Sequence, residues 1–251
     1  MTDKIDDAIF DFAYVMAMRD ATLQQAFPAT DKKLLWQAHS DEDKEKALAP
    51  LREKIKTPLK DHIESIFNDE PHDFYMVAKE VQEAAKNFIN ETEILKSTKK
   101  GEEPSADLAV FTFGNTQKLI NMTVKYMFMA TYDRPELRER FAQCHCPMDN
   151  IMMLEAECAF REPKDDWKDW LESCTKELSR GPRRGHRVWK DDVSWSALEW
   201  KENGRGTEAG APDEYLLFQA AIKELAKEES PIEYDFAAWG NPENEEAPSN
   251  K

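Results

Sequence analysis

Lys118 and Asp149 are the two residues whose types and settings point most directly to chemistry. Lys118 lies in GNTQKLINMTVKY (114–126), where a Gly-Asn turn precedes an apolar-periodic segment. The pattern predicts a helix over 118–131 with the lysine in its first turn. The partial positive charge of a helix N-terminus disfavours an ammonium there by about 0.3–1 kcal/mol. Bringing a lysine from about 10.4 to near 7–8 takes about 4 kcal/mol, so desolvation in a cleft must supply most of what leaves a neutral, nucleophilic amine. Asp149 stands in CPMDNIMMLEAE (146–157), a proline turn leading into a helix. Its carboxylate is placed to cap that helix, and a cap aimed into a cleft also stabilises a developing cation. The plainer reading is a helix cap and an unrelated surface lysine. Lys125, seven residues after Lys118, falls near the same helix face and is a second candidate nucleophile.

The elements that must position these groups are almost all helical by pattern. The chain has 251 residues, 41% of them hydrophobic and 10% aromatic, enough to bury a core, and only 8 glycines, too few for a turn-rich sheet protein. Ile5, Ile9, Phe12, Met16 and Leu23 mark a first helix. Phe74, Val77, Ala78, Val81, Ala84, Ala85, Phe88 and Ile89 mark a stronger one, with Asp73 as its N-cap. The charged stretch between them is interrupted by Pro50 and Pro58 and predicts short helices. Residues 97–107 are a loop by composition. LAVFTF (108–113) fits either a strand or a buried helical turn, and a small strand pairing with the 185–205 region is expected at most. Helices are predicted at 135–142, 150–161 and 164–178, then from Asp213 after Pro212, and the tail 241–251 is expected to be disordered. The fold class is therefore mostly α with minor β, one helical domain over 1–240.

Charge and composition exclude several classes. The formal net charge is −16, which rules out a uniformly basic nucleic-acid surface but leaves room for a local patch. No apolar run approaches the roughly 20 residues that span a bilayer, and the N-terminal sequence is acidic where a signal peptide is basic. A cytoplasmic protein with no membrane partner and reduced cysteines follows. Cys144, His145 and Cys146 form a CHC triplet, but Cys158 and Cys174 lie on separate helical patterns, so no metal and no other cofactor is expected.

GNTQKLINMTVKY followed by PMDNIMM resembles the active-site segment of the helix-hairpin-helix DNA glycosylases, and the archaeal 8-oxoguanine glycosylase branch is most similar. The match covers about residues 111–155. The resemblance implies that a hairpin ending in a Gly-containing turn delivers a catalytic lysine, at Lys118, and that a P-x-D turn delivers a catalytic aspartate, at Asp149. It implies a base-excision reaction in which Lys118 attacks the deoxyribose C1′ and holds the sugar as a Schiff base, with Asp149 activating the amine. The family hairpin has two glycines whose neighbouring N–H groups bind phosphate. Here Gly114 stands alone, with Asn115 as a left-handed substitute.

Further candidates surround the pair. Trp167, Trp170 and Trp189 sit among Arg180, Arg183, Arg184, Arg187 and Lys190 in a Trp- and Arg-rich stretch that includes the loop-like region 179–212. Basic residues interleaved with aromatics are the composition of a surface that contacts duplex or single-stranded DNA, and equally of a small satellite core with surface ion pairs. Gln117 and Gln219 carry amides able to read a base edge or to pair with nearby backbone, and His145 lies four residues before Asp149. The competing expectation is a non-catalytic acidic helical protein, a DNA mimic or interaction module that binds a protein partner through carboxylates.

Overall fold

The structure is a computed structural model and describes residues 5–20, 41–92, 111–149, 151–153, 155–156 and 214–240. The described residues are mostly α, with no strand among them. The chain divides into two compact units, Met1–Asp133 and Arg134–Lys251. The division falls in the turn between the helices that precede and follow Arg134.

Among the described residues the first unit holds four helices, α1 (Asp7–Asp20), α2 (Asp41–Phe67), α3 (Phe74–Thr92) and α4 (Phe113–Ala130). α4 packs on α1 and on α3, and α3 packs on α2. Side chains close the ring between α1 and α2: Tyr14 donates to the Arg52 carbonyl at 2.7 Å, Lys56 pairs with Asp11 at 2.8 Å and Lys60 with Asp7 at 2.6 Å. Positions 52, 56 and 60 meet 14, 11 and 7 in that order, so α1 and α2 run antiparallel. Burial pushes the Tyr14 phenol well above its ordinary range, which keeps the hydroxyl a donor.

Three helical expectations are corrected here. The stretch containing Pro50 and Pro58 is one helix of 27 residues. Leu51, Ile55, Leu59, Ile63 and Ile66 form its buried stripe, while Pro50 is exposed and Pro58 half-buried, so the backbone groups the prolines release lie off the apolar face. On α1 the buried residues are Phe10, Ala13, Tyr14, Ala17 and Met18, whereas Ile9 and Phe12 face outward. The segment is apolar on more than one face, and spacing alone selects the wrong one. α4 begins at Phe113, five residues before Lys118. The α3 stripe is as the spacing predicts, and Asp73 accepts from the Tyr75 and Met76 amides at 2.8 and 3.3 Å. Leu23, residues 97–107, 108–110, 164–178, 185–205 and 241–251 lie outside the described residues.

The second unit holds α5 (Pro135–Ala142), a helical segment at 151–153 and 155–156, α6 (Glu214–Ala226) and α7 (Pro231–Trp239). Pro135 occupies the first turn of α5, as its fixed φ favours. α7 opens with a capping box in which Ser230 and Glu233 exchange side-chain and backbone bonds. Arg138 of α5 pairs with Glu233 at 3.1 Å, and the Tyr234 hydroxyl donates to Glu155 at 2.7 Å.

α2 ends in a Schellman turn: Glu70 N–H bonds the Ser65 carbonyl at 2.8 Å and Asp69 N–H the Ile66 carbonyl at 3.2 Å, with Asp69 at φ 57°. A left-handed non-glycine residue costs about 1–2 kcal/mol, offset in part by its lower unfolded-state entropy. Asp69→Gly is therefore expected to raise stability by about 0.5–1 kcal/mol, read as a higher urea midpoint at unchanged slope.

Candidate functional site

The position of Lys118 follows from how α4 starts. Thr112 is extended, at φ −80° and ψ 165°, and its hydroxyl accepts from the Asn115 N–H at 3.1 Å. Asn115 Oδ1 in turn accepts from the Thr112 N–H at 3.1 Å, and the Thr116 hydroxyl donates to the Thr112 carbonyl at 3.1 Å. This is a capping box with asparagine in the place usually taken by Glu or Gln. The turn expected at Gly114 and Asn115 is therefore the first turn of the helix. Both residues are buried, and the Asn115 N–H is spent on the cap. Lys118 is also moved out of the first turn, where the helix-end field acts, and into the second.

α4 buries polar side chains to an unusual extent. Of eleven buried polar or charged residues among those described, six lie on this helix: Asn115, Thr116, Gln117, Asn121, Thr123 and Lys125. Asn115 and Thr116 serve the cap, and the Thr123 hydroxyl donates to the Leu119 carbonyl at 2.9 Å. The remaining three are at i, i+4 and i+8 on one face. Gln117 is 0% exposed, Asn121 1% and Lys125 8%, and the Asn121 amide donates to Gln117 Oε1 at 3.2 Å. Lys118 is half-buried and borders this seam through its i+3 and i+7 relations to Asn121 and Lys125. The helix carries two lysines and no carboxylate in a chain with 50 acidic residues. Asn121 is the seam residue that the sequence reading misses. Its signal is an amide four residues from both Gln117 and Lys125 in an otherwise apolar helix. Gln117 has its carbonyl oxygen engaged within the helix.

The second unit positions Asp149 through the turn at 143–149. Asp149 is 5% exposed, and its Oδ1 accepts from the Ile151 and Met152 amides at 3.0 and 3.1 Å, so it caps the next helix as the turn sequence predicts. The turn is held by two residues of α6 one turn apart. Tyr215, fully buried, shares a hydrogen bond of 2.9 Å with His145 Nδ1, with the two rings edge to face at 5.3 Å. Gln219 grips the Cys146 backbone from both sides, donating to its carbonyl at 2.7 Å and accepting from its N–H at 3.3 Å. Of the two roles the sequence leaves open for Gln219, its amide takes the backbone pairing.

The CHC triplet is used locally. The Cys144 thiol points to the Arg140 carbonyl at 3.7 Å and the Cys146 thiol to Gln219 Oε1 at 3.6 Å. Among the described residues no group of three or more His, Cys, Asp or Glu side chains is placed to hold a metal. Trp167, Trp170, Trp189, Arg180, Arg183, Arg184, Arg187 and Lys190 lie outside the described residues, as do Cys158 and Cys174. Lys118 belongs to the first unit and Asp149 to the second. Among the described residues no helix is long and apolar enough to cross a membrane.

No protein-family model matches the chain, and comparison with curated proteins and with solved structures returns no match.

Burial pushes the Cys144 thiol from its ordinary 9.0 up to about 12. The unfolded chain gives up this proton first, so the stabilising difference is intact below about pH 9 and is lost as pH rises from there toward 12. Urea titrations at pH 8 and pH 10 should show wild type losing more stability over that interval than Cys144→Ala. Iodoacetamide at pH 8 should modify Cys144 at least about tenfold more slowly in the folded than in the unfolded chain, since the thiolate is the reactive form.

Proposed function

We propose that this chain is a base-excision protein of the DNA glycosylase type, with Lys118 as nucleophile and Asp149 as its carboxylate. The observation that carries the reading is the polar seam of α4. A core helix that buries two amides and a lysine along one line gives up apolar packing at each of those positions. Such a seam is costly as mere scaffold and apt as the wall of a site for a polar ligand. Lys118 borders it, and Asp149 caps the helix that follows its P-x-D turn.

In this reading the Lys118 amine, in its unprotonated form, attacks C1′ of the nucleotide. The new N–C bond forms as the C1′–base bond breaks, and the base leaves with that electron pair and takes up the proton the amine releases. The Asp149 charge stabilises the oxocarbenium character at C1′ during the exchange. Opening of the sugar ring leaves a Schiff base that borohydride reduces to a stable amine. Strand contact is assigned to the basic stretch 180–190.

A second reading is favoured by a different observation. α1 turns Ile9, Phe12 and Val15 outward, at 40%, 62% and 61% exposure, next to the exposed acids Asp6, Asp7 and Asp11. An acidic helical protein that binds a protein partner, without chemistry, accounts for that face and for the charge of −16.

Borohydride trapping on duplex and single-stranded oligonucleotides carrying 8-oxoguanine or an abasic site separates the two. The first reading expects a trapped adduct that disappears in Lys118→Gln and falls at least about a hundredfold in Asp149→Asn, an effect of the size seen when transition-state charge stabilisation is removed. The absence of an adduct on every substrate contradicts it and favours the second.

A further inference from the structure

We infer that Gln219 and Tyr215 are positioning residues that set where the Asp149 carboxylate stands, through the 145–149 turn; for function the inference rests on the reading that Asp149 acts in the reaction. The geometry is a two-point dock. Gln219 and Tyr215 are four residues apart on α6 and so point from the same face. Gln219 replaces both hydrogen-bond partners that the Cys146 peptide group would find in a sheet, at 2.7 Å to the carbonyl and 3.3 Å to the N–H. Tyr215 fixes the neighbouring His145 ring at 2.9 Å. Between this dock and the carboxylate lie only Pro147 and Met148. Pro147 has a locked φ, and Cys146, Pro147, Met148 and Asp149 are all buried, so the run has little freedom to absorb a displacement. The far end of the run is the pair of bonds from Ile151 and Met152 to Asp149 Oδ1. A shift of the Cys146 peptide therefore reaches the cap.

Amide hydrogen exchange reads this without any substrate. In Gln219→Met, which keeps the length of the side chain and loses both backbone bonds, exchange of the Ile151 and Met152 amides should speed up at least tenfold. The Tyr234 amide, bonded to the Ser230 carbonyl in α7, should keep its rate, showing that the unit remains folded. Gln219→Glu supplies a pH readout. Its ionised carboxylate cannot donate to the Cys146 carbonyl, but its protonated form can, so protection at Ile151 and Met152 should return toward the wild-type level as pH falls from 8 to 5, after correction for intrinsic exchange. Unchanged protection in Gln219→Met, or equal loss at both pH values in Gln219→Glu, overturns the inference. Should the Tyr234 amide also speed up in the Gln219 variants, Tyr215→Phe decides: faster exchange at Ile151 and Met152 supports the dock, and an unchanged rate overturns it.

The trapping assay adds a second arm. Gln219→Met should lower the rate of adduct formation at saturating oligonucleotide at least tenfold and leave the half-saturating concentration unchanged. A shift in half-saturation instead would mean that Gln219 touches the nucleotide, and would overturn the positioning role. If wild type traps no adduct, the proposed reaction fails while the exchange measurement still decides whether Gln219 and Tyr215 hold the cap.

Discussion

The capping box between Thr112 and Asn115 is the constraint from which α4, and with it the candidate site of the first unit, takes its register. A helix places successive side chains about 100° apart, so moving its origin changes which residues can be polar without harm. With the helix started at Phe113, Leu119, Ile120, Val124, Met127 and Phe128 form its apolar contribution to the core, and Gln117, Asn121 and Lys125 fall together on a separate buried line. The cap also removes the Gly-Asn turn on which a phosphate-binding hairpin depends. One local set of hydrogen bonds thus sets where the buried polar line of this helix falls.

The second unit uses a related device at larger separation. Asp149 is held by its own helix, through two N–H groups, and the turn that leads to it is held by α6, some seventy residues further along the chain. The bonds to Cys146 are made by an amide side chain to a peptide group, a pairing with no charge to screen, and they are buried. A neutral, fully bonded clamp of this kind specifies position without imposing a field of its own on the carboxylate. The CHC triplet, which invites a metal by composition, is occupied with this scaffolding: one thiol turns to the Arg140 carbonyl and the other to the Gln219 amide.

What could be read from the sequence was what depends on neighbours in the chain. The α3 stripe, the Asp73 cap, the first-turn proline of α5 and the Asp149 cap are all local patterns, and all four appear as such. What could not be read depends on packing. α1 is apolar on two faces, and only its neighbours decide that Phe10 and Tyr14 go in while Phe12, at 62% exposure, stays out. α2 continues through Pro50 and Pro58 because five buried apolar residues outweigh two missing backbone bonds. The start of α4 was hidden because Thr-x-x-Asn is a rarer form of the box than Thr-x-x-Glu, and Gly114 is a residue that normally marks a turn. The partners of Gln219 are long-range, and no spacing rule anticipates them.

The account stands on Lys118 being the amine that bonds to the sugar. One lysine borders the seam and another lies in it, seven residues apart, and substitution alone does not separate a nucleophile from a neighbour that supports it. Reduction of the wild-type complex with borohydride on an 8-oxoguanine or abasic-site oligonucleotide, followed by digestion and mass spectrometric mapping of the modified peptide, identifies the atom directly. The account predicts that the added sugar fragment sits on Lys118. A fragment on Lys125, or on any lysine outside α4, contradicts it.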